Sequence, residues 1–157
     1  MFIPLMRTIL LVMCLASLKV DAAQPDIALF TVKGSFDGVK ERVVMAIENR
    51  GLVLNYTARI GDMLDRTGKD IGRVAPIYGK AELVEFCSAR VSRDTMEADP
   101  HNIVYCPYAI AIYTLPREQG TVYVSYRKLG MVGAPQSLKA LRAVDTLLEG
   151  IVREAVK

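Results

Sequence analysis

Cys87 and Cys106 stand nineteen positions apart in the 157-residue chain, with its one histidine, His101, between them. Residues of these types support three chemistries. In an oxidising compartment two thiols close into a disulfide, and a bridge spanning such a loop stabilises a fold by on the order of 3 kcal/mol. Deprotonated, the same thiols suit copper, zinc or a haem iron, with the imidazole of His101 or the thioether of Met96 as further ligands. The spacing is not that of a zinc finger, and no Cys-x-x-Cys-His attachment site for c-type haem is present. A thiol redox couple is the third option, and it lacks the Cys-x-x-Cys spacing that lowers a thiol pKa. The disulfide is the first expectation, a metal or haem site the second, redox catalysis the third.

His101 follows Asp99-Pro100, and nothing near it in sequence supplies both a nucleophile and an orienting carboxylate. A solvated loop histidine is expected, and no catalytic residue is assigned. Tyr105, Tyr108 and Tyr113 are candidates to line a cleft for a flat ligand; half-buried packing with a wet hydroxyl is their plainer reading. Glu82 and Glu85 fall on opposite faces of one strand, so they form no acid and base pair. Gly68-Lys69 lacks the second glycine and the Ser or Thr of a phosphate loop, since Met63 and Asp70 occupy those positions.

These residues must be positioned by the elements around them. Residues 27–33 alternate and read as a first strand. Gly34 breaks it, Ser35 can cap a helix, and Phe36, Val39, Val43, Ala46 and Ile47 recur at helical spacing until Gly51. Period two returns over 52–60. Residues 61–79 read as a glycine-punctuated connection with one helical turn at 62–65. A third strand over 81–87 ends on Cys87, a short helix runs to about Ala98, and Pro100 stops it. A fourth strand over 108–115 and a fifth over 121–127 form a hairpin. After a loop from 128 to 134, Pro135 suits the first turn of a long helix carrying Leu138, Leu141, Val144, Leu148, Ile151 and Ala155 as an apolar stripe. The fold class is α/β of the α+β type: a mainly antiparallel sheet of about five strands with two or three helices. The order is strand-helix-strand-strand-helix-strand-strand-helix. The last stripe is expected to face the core rather than a second subunit.

Residues 1–22 read as a secretory signal, with Arg7 in a positive n-region, an apolar run over 8–17, and Val20-Asp21-Ala22 before the cut. That run is too short to span a bilayer, and Cys14 belongs to the leader. The mature chain, 23–157, is expected to be one α/β domain in the periplasm or outside the cell, with no transmembrane segment. Removing the leader leaves 18 basic against 16 acidic side chains, and the near balance argues against a nucleic-acid partner.

Several short motifs recur together: Gly34-Ser35-Phe36, Gly51-Leu52, Val84-Glu85-Phe86-Cys87, Glu97-Ala98-Asp99-Pro100, and Cys106-Pro107-Tyr108 leading into Ala109-Ile110-Ala111-Ile112-Tyr113. This set resembles the family catalogued as domain of unknown function 302, over about residues 26–127, with the final helix outside the match. The resemblance implies a homodimeric α/β domain and no particular reaction. Together these readings lead to an exported, non-enzymatic binding or accessory module of unknown ligand, serving periplasmic redox chemistry. The alternatives are a metal- or haem-binding or thiol-redox protein using Cys87 and Cys106, and a structural dimer-forming protein.

Overall fold

The computed structural model describes residues 26–129 and 133–157. The expected leader at 1–22, with its Cys14, and Gly130 of the last loop lie outside the described residues. In chain order the elements are β1 (Ile27–Lys33), α1 (Phe36–Glu48), β2 (Val53–Ala58), α2 (Ile60–Asp70), β3 (Lys80–Cys87) and α3 (Ala89–Ala98). A 3-10 helix (Pro100–Tyr105), β4 (Tyr108–Thr114), β5 (Thr121–Arg127) and α4 (Pro135–Ala155) complete the fold.

The strands form one antiparallel sheet in the order β1-β5-β4-β3-β2. Their alternation decides which side chains face the helices. Val84 and Phe86 of β3, Ile110 and Ile112 of β4, and Val122 and Val124 of β5 are fully buried on one side. Val39, Val43 and Ile47 of α1 and Leu141, Val144, Leu148 and Ile151 of α4 close over them. Each such side chain contributes about 1.5–3 kcal/mol by leaving water. The stripe on α4 therefore closes the core, and α1 packs beside it. Where the two helices end, Arg42 Nε donates to Ala155 O at 2.8 Å, and Arg50 pairs with Glu154 at 2.7 Å. On the same side of the sheet Lys40 Nζ lies 2.5 Å from Glu82 Oε2, which otherwise has no partner in its buried position.

Local chemistry explains the helix starts. Ser35 Oγ accepts from the Gly38 amide at 3.2 Å, and Ser88 Oγ accepts from Val91 at 3.3 Å. Asp99, extended before Pro100, ends α3 and caps the 3-10 helix through the His101 amide at 2.9 Å.

The expectation of two or three helices is corrected, among the described residues, to four α-helices and a 3-10 helix. The omitted element is α2, where a glycine-punctuated loop was expected. Its glycines are sites of close approach rather than breaks. A Cβ on Gly61 would meet the Ala81 backbone nitrogen of β3 at 3.0 Å, and one on Gly68 would meet Arg73 O at 2.4 Å. Gly61 thus seats α2 on β3, and Gly68 lets the chain fold back so that the Arg73 amide donates to Gly68 O at 2.8 Å. The second strand is also shorter than expected, because the register shifts between Leu54 and Tyr56 and Ile60 already belongs to α2.

Candidate functional site

Cys87 is the last residue of β3 and Cys106 precedes β4, two strands that pair antiparallel with Phe86 opposite Tyr108. The pairing brings the two half-buried sulfurs to 3.0 Å. Asn55, the extra residue at the β2 irregularity, donates through Nδ2 to Cys87 Sγ at 3.5 Å. On the other side Ser92 of α3 lies 3.7 Å from Cys106 Sγ and donates to the Tyr108 hydroxyl at 3.1 Å. Tyr108 is buried, its ring edge-on to Phe86 at 6.1 Å. The Cys106-Pro107 peptide is cis.

Burial pushes the Cys87 thiol from its ordinary 9.0 up to about 11, reinforced by the hydrogen bond and charge of Cys106 and partly offset by Asn55. Burial also raises the Tyr108 phenol, against hydrogen bonds from Ser92 and Thr95. Cys87 is therefore a neutral thiol near pH 7 when reduced, the form that pairs or packs rather than attacks.

His101 is exposed on the 3-10 helix, and Met96 is half buried on α3, one turn beyond Ser92. No group of three or more His, Cys, Asp or Glu side chains placed to hold a metal occurs among the described residues. The two sulfurs are thus brought together, and His101 is not gathered with them.

The tyrosines divide between two hollows, one at the end of the sheet, bordered also by Tyr126, Leu129 and Leu148 of α4, and one on the sheet face that α1 and α4 leave uncovered. Tyr105 and Tyr108 border one of about 340 Å³, together with Pro107, Ala109 and Arg127. Tyr113 borders the other, of about 500 Å³, with Leu29, Ile60 and Tyr78. Ile27, Leu83, Ala111 and Ser125 line both, so the hollows adjoin. At the far end Tyr78, Tyr113 and Tyr123 form an aromatic ladder with centroid spacings of 5.5 and 5.1 Å.

The model of the family described as Domain of unknown function DUF302 matches residues 29–155. The chain belongs to the DUF302 family. A crystal structure of an uncharacterized conserved DUF302 protein from Bacillus stearothermophilus is similar with a TM-score of 0.70 at 13% identity, covering 85% of this chain and all of that one. At that identity the likeness concerns the fold. No curated protein matches the sequence.

The DUF302 match corrects the span expected from the sequence motifs, since it takes in α4, which was placed outside. An amphipathic stripe is satisfied by many sequences, so that helix carries little motif signal although it supplies much of the core. Asn55, Ser92 and Arg127 are not recognisable as site residues from the sequence, because a single polar residue in a strand or helix looks like solvated surface until its neighbours are known. Asn102 did as well. Buried under α4, its amide donates to Thr95 O at 3.0 Å and to Ser137 Oγ at 2.8 Å, and it accepts from Ser137 in return, tying the 3-10 helix to α3 and α4. Alternation does carry the signal for Ala109, Ala111 and Ser125, which fall on the face away from Ile110 and Val124.

Proposed function

We propose that this DUF302 chain is an exported, non-enzymatic binding module with an accessory role in periplasmic redox chemistry, its Cys87 and Cys106 joined as a disulfide beside the binding face. The observation that carries the reading is the 3.0 Å approach of two sulfurs from residues nineteen apart. Closure forms one S–S bond and passes two electrons and two protons to an exported oxidant of the thiol oxidase class. The secretory pattern over 1–22 supplies the compartment in which such a bond persists. Pro107 and Tyr108, next to Cys106, border the smaller hollow, so the bridge would hold one rim of it. The raised Cys87 pKa favours this staple over a thiol-exchange catalyst, which works through a thiolate.

The intact mass of protein recovered from the exported fraction, alkylated with and without prior reduction, tests the reading. The expected product starts at Ala23, lacks the two thiol hydrogens, and takes two labels only after reduction. Two labels without reduction would remove the staple, and an N-terminus at Met1 would remove export.

A further inference from the structure

We infer that the two hollows form one groove for a linear anionic amphiphile, a carboxylate at Arg127 with an apolar tail running toward Tyr113. The inference rests on the binding-module reading but not on the state of the cysteines.

The floor of the groove is made of small side chains in the middle of the sheet. Ala111 stands opposite Ser125, and Leu83 opposite Ala111, so these residues form a line across β5, β4 and β3. Ala109 extends the floor along β4. Larger groups rise on both flanks: Ile27 and Leu29 of β1, each 54% exposed, and Ile60 at the start of α2. A central trough of alanine and serine between aliphatic walls is concave where a half-covered sheet would ordinarily be flat or convex. The volumes, about 340 and 500 Å³, lie in the range of small-molecule sites.

Shape chooses between a small molecule and a second copy of the chain. Two sheets packed face to face need inner surfaces that interdigitate at a separation of about 10 Å. Here α2 stands over one corner through Gly61 on Ala81, and Val104 and Tyr105 of the 3-10 helix border the opposite end. These raised ends hold a flat partner off the floor, while a slender molecule fits between them.

Charge sets the direction in which such a molecule lies. The exposed Arg127 side chain borders the groove and makes no hydrogen bond or ion pair with any other described residue. Glu85, an acid on the same face, is on β3, two strands or about 10 Å away. Glu85 does not border the groove, and Glu82, the acid that does, is paired with Lys40 at 2.5 Å, so the guanidinium is left to meet an external anion. From Arg127 the groove runs along the sheet for about 13 Å to the level of Tyr123, where Tyr78 and Tyr113 border its end and Tyr113 stacks on Tyr123.

Calorimetric titration of the purified protein with dodecanoate, and separately with dodecanol, tests the assignment. The expected result is one site per chain, with dodecanoate bound about fivefold tighter than the alcohol, the scale of one exposed ion pair. Arg127→Gln, a surface change, should abolish that difference and leave dodecanol binding unchanged. Ala111→Trp should fill the floor and abolish both, with the far-ultraviolet circular dichroism retained. Equal binding of acid and alcohol to the unmodified protein would overturn the role of Arg127 while sparing the binding module. Failure of both to bind would overturn the groove as a lipid site, whatever the cysteines do. A sedimentation dimer that Ala111→Trp dissociates would also overturn it, assigning the face to a second copy.

Discussion

A half-buried thiol beside a second thiol responds to pH in a way its neighbours dictate. Cys87 is held at about 11 against an ordinary 9.0, so the folded reduced protein keeps this proton while the unfolded chain releases it. Its contribution to stability is therefore level below pH 9 and declines as pH rises from 9 toward about 11. Burial is the first cause and Cys106 supplies the next two, which makes the causes separable. In Cys106→Ser, reduced, the midpoint for alkylation of Cys87, followed by peptide mass spectrometry, should fall from about 11 yet stay above 9. A midpoint at or below 9 would show that Cys106, not burial, sets the value. The sequence already singled out both cysteines, because two thiols nineteen positions apart have the chemistry to bond or to hold a soft metal. Asn55 and Ser92, which touch the sulfurs, were not legible, since they come from β2 and α3 and meet the cysteines only through the sheet register and the seating of α3.

Among the elements, α2 is the one whose character depends most on neighbours. Its sequence, Ile60-Gly61-Asp62-Met63-Leu64-Asp65-Arg66-Thr67-Gly68-Lys69-Asp70, places two glycines in eleven residues, each costing about 1 kcal/mol relative to alanine in a helix interior. Helix propensity alone therefore predicts that Gly68→Ala stabilises. Contact predicts the reverse, because the new Cβ would stand 2.4 Å from Arg73 O and displace the backbone turn that ends the helix. Gly68→Ala should destabilise by roughly 1–3 kcal/mol, the cost of overpacking, read from the shift in the guanidinium midpoint. An unchanged or higher midpoint would mean that the turn yields freely. The other elements were legible because their signals are local: the Ser35 cap with its apolar helical spacing, the alternation of β1 and β5, and the proline that ends α3.

At the scale of the whole molecule, α4 is where sequence similarity and physical necessity diverge. Leu141, Val144, Leu148, Ile151 and Val152 are each at most 2% exposed and sit over the sheet. At about 1.5–3 kcal/mol apiece their burial is comparable to the entire stability of an ordinary domain, about 5–15 kcal/mol. A chain ending at Ala134 should show no cooperative thermal transition and should bind a hydrophobic dye through the uncovered core. A sharp transition in that truncated chain would mean that β1 to β5 with α1 and α3 suffice. No helix among the described residues is long and apolar enough to cross a membrane, in keeping with the division of each helix into one buried and one wet side.

The sequence by itself determined the order of the five strands with α1, α3 and α4 among them, the antiparallel class and the two cysteines, because periodicity, caps and residue chemistry are properties of neighbours along the chain. Tertiary structure alone decided the rest. It brought the sulfurs to 3.0 Å, turned the glycines of α2 from breaks into contacts, and left Ala109, Ala111 and Ser125 as the floor of an open groove beside Arg127. Each of these depends on which residues of distant segments meet across the sheet. That is set by strand order and register, which no single stretch of sequence contains.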